Sequence, residues 1–495
     1  MNAPQTNLKM PVGDLQMYID GKWTDSEGGG RMTIDSPGLG TSIGTVPAGT
    51  RKDAARAIAA AAAAEETLRW MTPAERSNMC KRVVDALGRH VDELARVIAL
   101  DQGKPYHSEG KWEAGACTHF FKEASEDILR LHGDTLPSGD RNKRMISFWQ
   151  SRGVYAVITP WNFPYNIPSE YISAALAAGN PIVWVPAPTT SACAVVYARA
   201  LAEADLPKGA FNLVTGEGPV VGDEIVAHPA TRGVGFTGSP VTGQKIAVRA
   251  AGKPMLLELG GNGPVVVLAD ANLDAAAEGI TFSAYLNAGQ ACSATERVLV
   301  DATIKDALIE KVMAITAKVK LGDPFEAETT MGPLNNEGVA AKMDRHIADA
   351  TRKGAKILAG GGRADGMASR LYYRPTLLDG VTPDMIVNRE ESFGPIVPFL
   401  TFKTADEALA LANDNDLGLI CSVYTKNLKA AFHFGERLRT GIVNINETPD
   451  YWETPVPYGG VAGRQSGIGR LGGMHTIKEM MDQRGMIIDL EKGGF

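Results

Sequence analysis

Hydrophobic positions along the chain fall into short β-rich runs separated by alanine-rich stretches with helical spacing. Between about 150 and 270 the runs Val154–Ile158, Ile182–Val185, Phe211–Val214, Gly233–Phe236 and Pro264–Leu268 alternate with such stretches. That order predicts βαβ units on a parallel sheet. The alternation resumes from 271 to about 450, with helices predicted over Asp274–Leu286 and Ile304–Val319 and strands over Arg297–Val300 and Leu419–Thr425. This reads as a second α/β unit. Upstream, Thr72-Pro73-Ala74-Glu75 has the form of a capping box with proline at the first helical position, opening a helix that runs toward Gly88. Leu131–Gln150 breaks the pattern, with turn residues at Gly133-Asp134 and Ser138-Gly139-Asp140 followed by the mixed run Met145–Gln150. It reads as a hairpin whose apolar side chains need cover, from its own domain or from another chain. The cluster Gly360–Gly362 reads as a surface turn.

Composition narrows the class. A length of 495 residues suggests about three compact units. With 50 Lys+Arg against 57 Asp+Glu the net charge is −7, and no long basic run exists, which argues against a nucleic-acid surface. The polar stretch Met1–Gln16 lacks a signal-peptide core, and Ala54–Ala64 contains Arg56 and is too short to span a bilayer. No membrane partner is expected, and the cytoplasm is the expected location. The 5 cysteines are scattered without a CxxC or Cys/His cluster, so neither a disulfide framework nor a metal site is expected. Glycine is in excess, 54 of 495 residues.

Candidate chemistry sits at segment ends. Cys292 in Gly289-Gln290-Ala291-Cys292-Ser293 lies between a helical stretch and a strand, among small residues that let a ligand approach. It reads either as a nucleophile, active as its thiolate, or as an inert core cysteine. Cys193 and Cys421, in apolar or small-residue runs, fit the inert reading. Glu258 interrupts the apolar run Met255–Gly261. Burial there would raise its pKa into the range of a general base; the alternative is a half-exposed strand position. Asn162, in Thr159-Pro160-Trp161-Asn162-Phe163-Pro164, follows a strand and reads as an oxyanion donor or an ordinary turn residue. Gly238-Ser239-Pro240-Val241-Thr242-Gly243 opens a helical stretch suited to a pyrophosphate, or is a plain strand-to-helix turn. A literal GxGxxG at Gly467–Gly472 follows no predicted strand and is set aside as a nucleotide site.

Taken in order, Pro160–Pro164, Gly235–Ser239, Leu257–Gly261, Gly289–Cys292 and Glu391-Ser392-Phe393-Gly394-Pro395 resemble the aldehyde dehydrogenase superfamily, over essentially the whole chain. The resemblance implies an α/β fold: a Rossmann-like nucleotide-binding domain (1–130 and 152–258), an α/β catalytic domain (259–458), and a β-hairpin oligomerisation element (131–151 with 459–495) that pairs across subunits in a homodimer or homotetramer. It further implies oxidation of an aldehyde through a Cys292 thiohemiacetal and thioester. Asn162 and the Cys292 N–H would hold the oxyanion, and Glu258 would activate water. Relatives that transfer the acyl group to coenzyme A typically lack this glutamate, so Glu258 favours hydrolysis over that alternative. A non-catalytic binding protein on the same fold is the third reading, disfavoured by the intact Cys292, Glu258 and Asn162.

For the cofactor, the resemblance implies NAD, with NADP open, held by Pro160, Trp161, Val185, Pro186, Ala187, Gly238, Ser239, Gly243, Leu259, Glu391 and Phe393. Many relatives carry Lys-Pro-Ser-Glu where this chain has Val185-Pro186-Ala187-Pro188, and Tyr171 stands where a second lysine is common. The substrate pocket is expected at Phe163, Ile167, Glu170, Leu286, Tyr451 and Trp452. Relatives that take dicarboxylic semialdehydes often place an arginine where this chain has Leu286, so an anionic tail lacks that partner unless Arg464 supplies it. An aryl or medium aliphatic aldehyde is the expected substrate.

Overall fold

The computed structural model describes residues 8–492. The polar stretch read at 1–16 and the outer ends of the 1–130 and 459–495 segments therefore lie partly outside the described residues. An eight-stranded sheet runs in the spatial order Gly467–Ile468, Met255–Glu258, Gly233–Thr237, Tyr155–Thr159, Ile182–Pro186, Phe211–Leu213, Met17–Ile19, Lys22–Thr24. From Met255–Glu258 to Phe211–Leu213 neighbouring strands are parallel, as the βαβ pattern predicts, and antiparallel strands close the edges. The register pairs Thr237 with Glu258 and Thr159 with Pro186, so the segments that follow these strands leave from one carboxyl edge. Ligands of open α/β sheets bind at such an edge.

A second sheet has seven strands, in the order Lys356–Ala359, Thr376–Asp379, Ile396–Phe402, Arg297–Asp301, Pro264–Val267, Ile420–Tyr424, Ile442–Ile445. Gly260-Gly261, Cys292 and Glu391–Phe393 each precede a strand of this sheet, so they lie at its amino edge. The carboxyl edge of the first sheet faces the amino edge of the second, joined by hydrogen bonds such as Asn162 Nδ2 to Gln290 O at 3.1 Å.

Local chemistry explains the flanking helices. Helix Pro73–Arg89 starts at the expected capping box: the Thr72 side chain accepts from Glu75 N, and Thr72 N donates to Glu75 Oε2 at 2.7 Å. The alanine run belongs to helix Arg51–Trp70, which buries Ala54, Ala57, Ile58, Ala61, Ala64 and Leu68. Its helical spacing and small side chains let the helix approach the sheet closely.

The 131–150 segment differs from the simple hairpin expected. Its internal pairing is limited to Thr135–Leu136 against Met145 and Ile146. The main partner of Lys143–Ser151 is Met481–Asp489, paired in register from Met481↔Ser151 to Asp489↔Lys143. Arg152 anchors this ribbon, donating to Met481 O at 2.7 Å and to Asp482 at 2.8 Å. The literal GxGxxG begins in the edge strand Gly467–Ile468, which extends the first sheet beside Met255–Glu258. A further three-stranded sheet (Gly13–Asp14, Ser42–Pro47, Arg31–Asp35) carries no strong sequence signal because its strands are short and largely polar. No helix among the described residues is long and apolar enough to cross a membrane.

Candidate active site

Between the two sheet edges lies a cavity of about 720 Å³, lined by Cys292, Glu258, Phe163, Ile167, Glu170, Leu286 and Trp452 among others. Cys292 is half-buried there, whereas Cys80, Cys117, Cys193 and Cys421 are fully buried and free. Burial pushes the Cys292 thiol up to about 12; the hydrogen bond between Cys292 and Tyr458 opposes the rise, while Glu258, Glu391 and Asp450 add to it. Glu258 ends its strand 3% exposed, with no hydrogen-bond partner for either carboxylate oxygen. Desolvation holds its pKa well above the usual carboxylate range; Glu170 raises it further and Arg470 opposes. Of the two readings at Glu258, the half-exposed strand position is excluded.

Asn162 is 2% exposed; its Nδ2 gives one hydrogen to Gln290 O and keeps a second, and its Oδ1 has no partner. Two glycines let backbone come this close. A Cβ on Gly261 would stand 2.1 Å from Cys292 O, and one on Gly459 (φ +154°) would stand 2.9 Å from Glu258 Oε1.

The loop that presents the thiol is locked from outside the cavity. Asn287 and Ala288 adopt left-handed backbone at φ 52° and 54°, which costs energy in non-glycine residues. Both Glu109 oxygens accept from Asn287 N at 3.1 Å, and Gln102 Nε2 donates to Asn287 Oδ1 at 2.7 Å. Asn287 Nδ2 in turn donates to Asn162 O at 2.8 Å. Burial raises Glu109 to about 7. Asn287, Glu109 and Gln102 carried no signal in the sequence, because their roles depend on contacts across more than a hundred residues. Tyr458, whose hydroxyl is 3.1 Å from Cys292 Sγ, was also missed.

The expected cofactor residues cluster on the other side of the thiol. The Trp161 ring meets the Phe393 ring edge-on with centroids 5.5 Å apart. Glu391 Oε1 accepts from Gly261 N at 2.9 Å, leaving Oε2 without a protein donor among the described residues. Burial raises the Glu391 pKa, opposed by Lys342 and the Gly261 N–H. Gly238 and Ser239 precede helix Pro240–Arg249, whose first turn is exposed; Ser239 Oγ itself caps Thr242 N. A Cβ on Gly243 would collide with the Leu259 side chain at 2.5 Å, so these two pack together. Val185 and Pro186 are buried, leaving the partly exposed Ala187 at the end of their strand. An open helix N-terminus suits a pyrophosphate, and a carboxylate with a free oxygen suits vicinal hydroxyls. These residues fit a nicotinamide dinucleotide. No group of three or more His, Cys, Asp or Glu among the described residues is arranged to hold a metal.

Two expectations about the pocket change, at Tyr451 and at Arg464. Tyr451 does not line the cavity: it is 51% exposed and its hydroxyl bonds Glu453 Oε1 at 2.6 Å. Trp452, the next residue, faces inward and stacks on Phe120 at 6.3 Å. Arg464 is turned away, donating to Asn413 O at 2.7 Å, so it supplies no cation to the cavity. Tyr171 fills the space beside Gly235 and hydrogen-bonds Thr237 Oγ1 at 2.8 Å.

Comparison with known proteins agrees with this geometry. The model of the "Aldehyde dehydrogenase family" matches residues 23–485. A glutarate-semialdehyde dehydrogenase of Pseudomonas aeruginosa is 38% identical over 469 residues, covering 94% of this chain and 96% of that one. The NADP(+) succinate-semialdehyde dehydrogenase GabD of Escherichia coli is 36% identical, covering 96% and 98%. The crystal structure of an NAD-dependent aldehyde dehydrogenase from Sinorhizobium meliloti superposes with a TM-score of 0.95 at 37% identity, covering 100% of this chain and 98% of that one. The fold, the sequence and the thiol-centred cavity converge on one conclusion: this chain belongs to the aldehyde dehydrogenase family and is an NAD(P)-dependent aldehyde dehydrogenase.

Proposed function

We propose that the enzyme converts neutral aryl or medium aliphatic aldehydes to carboxylic acids, using Cys292 as nucleophile, Asn162 as oxyanion donor and Glu258 as the base for hydrolysis. The observation that carries this reading is a half-buried thiol and a desolvated carboxylate lining one cavity, with the Asn162 amide tied through Nδ2 to Gln290 O, two residues before the thiol. The Cys292 sulfur adds to the carbonyl carbon and its proton leaves to solvent. The negative oxygen so formed is held by the free hydrogen of Asn162 Nδ2 and by the Cys292 N–H. When bound, the nicotinamide dinucleotide supplies the acceptor for the hydride that leaves the substrate carbon. Glu258 then takes a proton from water as the water oxygen attacks the acyl carbon on Cys292. The C–S bond breaks, returning the sulfur and releasing the acid.

For the cofactor, the same reading assigns Glu391 to the ribose nearer the thiol, with Trp161, Phe393, Pro160 and Leu259 beside it. Gly238, Ser239 and Gly243 take the pyrophosphate, and Val185, Pro186 and Ala187 the adenosine end. The sheet-based units 1–130 with 152–258 and 259–458 divide these tasks. The ribbon of 131–151 with the C-terminal strand is assigned to a homodimer or homotetramer contact, supported by the exposed Ile487 (67%) and Met486 (44%). A monomer in light scattering at micromolar concentration would refute that assignment.

The substrate class rests on the cavity wall. Phe120, Phe163, Ile167, Leu286, Trp452 and Leu471 give it an apolar and aromatic character, while Glu123, Glu170, Asp450 and Glu453 contribute carboxyl groups. No lysine or arginine lines it. Two relatives are named for glutarate and succinate semialdehydes and so point away from an aryl substrate. Against that, a second carboxylate would find no lysine or arginine on this wall, only His119 and neutral donors such as Asn166 and Ser293. A panel of benzaldehydes, hexanal, and succinate and glutarate semialdehydes, each assayed with NAD and with NADP, tests the reading. The neutral aldehydes should exceed the semialdehydes in kcat/KM by about tenfold or more, the cost of one unpaired polar group in a site. A preference for the semialdehydes would refute it.

A further inference from the structure

The Tyr458 hydroxyl lies 3.1 Å from Cys292 Sγ, and among the described residues it has no other hydrogen-bond partner. We propose that Tyr458 is a further catalytic residue, a phenol that donates its hydrogen bond to the Cys292 sulfur and thereby favours and aims the attacking thiolate. The proposal rests on the assignment of Cys292 as nucleophile.

Several features fix the donor. Tyr458 N donates to Leu471 O at 2.9 Å, and Leu471 N returns a bond to Tyr458 O at 2.8 Å, holding the backbone on both sides. The ring packs edge-on against Trp452 at 5.4 Å, and Trp452 stacks on Phe120, so the phenol is the inner end of an aromatic row. The following residue, Gly459, passes against Glu258. Residues 458 and 459 thus thread between the thiol and the carboxylate.

The direction of the bond follows from what surrounds it. Cys292 is faced by Tyr458 and by the carboxyl groups of Glu258, Glu391 and Asp450. Tyr458 is faced by Cys292, Glu258 and Glu170. Among these groups the phenol is the single one that stabilises negative charge on sulfur, since burial and each carboxylate oppose it. A buried hydroxyl without a partner is costly, and here its partner is the reacting atom. A phenylalanine would fill the same space without the polar cost, so packing alone does not account for the oxygen.

The test uses the full-length enzyme with Tyr458→Phe, which keeps the ring against Trp452. Alkylation of Cys292 by iodoacetamide is followed by mass spectrometry of its peptide at fixed pH values from about pH 7 to pH 10, where its rate reports the thiolate fraction and hence the position of the titration, together with kcat and KM for one aldehyde. The expected result is a thiol titration moved upward by about one unit, so that alkylation near neutral pH and kcat/KM each fall about tenfold. The dissociation constant for NAD, read by fluorescence, should stay unchanged and reports that the variant is folded. A second arm places 3-fluorotyrosine, a more acidic phenol, at the same position and should move the titration downward. Unchanged titration in both variants would overturn the proposal, and if Tyr458→Phe does not fold the fluorinated variant decides alone. Cys292→Ala separates the two layers: turnover surviving in that variant would remove the nucleophile assignment itself. If Cys292→Ala is inactive while Tyr458→Phe alkylates and turns over as the parent does, the role of Tyr458 alone falls.

Discussion

The buried pair Lys104–Glu113 offers a quantitative test of how the site is held. Both side chains are essentially excluded from solvent, at 1% and 0% exposure, and they form an ion pair. Glu113 Oε1 also accepts from Tyr165 N at 2.9 Å and Asn166 N at 3.2 Å, just after Asn162. The Lys104 ammonium lies 3.7 Å from the Phe163 ring centroid. Removing one partner leaves the other charge desolvated, so Lys104→Met and Glu113→Gln should each cost about 3–5 kcal/mol. That is a large share of a folded protein's total of about 5–15 kcal/mol. The double variant removes both charges while the glutamine carbonyl still accepts from the backbone. It should recover about 2–3 kcal/mol relative to the sum of the singles. Urea unfolding at one fixed protein concentration measures all four proteins, with fixed concentration removing any assembly contribution. The activity of Glu113→Gln should fall as well, because the backbone behind Asn162 loses a charged acceptor. Single variants that cost less than about 1 kcal/mol and add without coupling would refute the reasoning, since they would mean the pair is solvated.

Other consequences follow from the geometry. Glu258→Gln should slow steady-state turnover by about 10²–10⁴-fold while a first burst of cofactor reduction survives, because the base we assign acts after hydride loss. Full turnover without a thiol acceptor would refute it. In the parent enzyme the step needs ionised Glu258, whose pKa is raised by burial. The rate should therefore rise with pH through a midpoint well above the ordinary carboxylate range and then level; a flat profile above about pH 5 would contradict the burial argument. Glu296 is 1% exposed and accepts from Ser392 N and Phe393 N, each at 2.8 Å. Glu296→Ala would strand two buried N–H groups beside Phe393, whose φ is 56°, at about 1–3 kcal/mol each. It should raise KM for NAD about tenfold or more with little change in KM for aldehyde; equal changes in both would argue against a local effect.

The parallel strands Tyr155–Thr159, Ile182–Pro186 and Pro264–Val267 were legible because each is a short run rich in β-branched residues, whereas Met255–Glu258, which lacks them, read only as an apolar run. Tyr155–Thr159 and Ile182–Pro186 lie within a residue or so of the runs read from sequence. The capping box at Thr72 was legible because both partners lie within three residues of each other. What escaped has long sequence separation or short length. Tyr458 and Cys292 are 166 residues apart, and Glu109 and Asn287 are 178 apart. The edge strand Gly467–Ile468 has two residues, too few for any period to show. Tyr451 and Trp452 are neighbours of similar character; Trp452 turns inward onto the ring of Phe120, which is remote in the sequence, while Tyr451 turns out to the carboxylate of Glu453 two residues on.

The glycine excess and the buried carboxyl groups have a common origin in the meeting of two sheet edges. At such a junction the chain must turn repeatedly while main chain from one domain approaches main chain from the other, and Gly261 against Cys292 O is the tightest case at the thiol. Backbone packed that closely excludes water, and three acids there are pushed toward their neutral form: Glu170 to about 8, Glu109 to about 7 and Asp450 to about 6, each chiefly by desolvation. The same exclusion raises the Cys292 thiol and Glu258, which opposes ionisation of both groups the chemistry needs. A site built this way protects a thioester from stray water but requires a local donor to recover a thiolate. The phenol of Tyr458, held against the sulfur, is the group in the structure that meets that requirement.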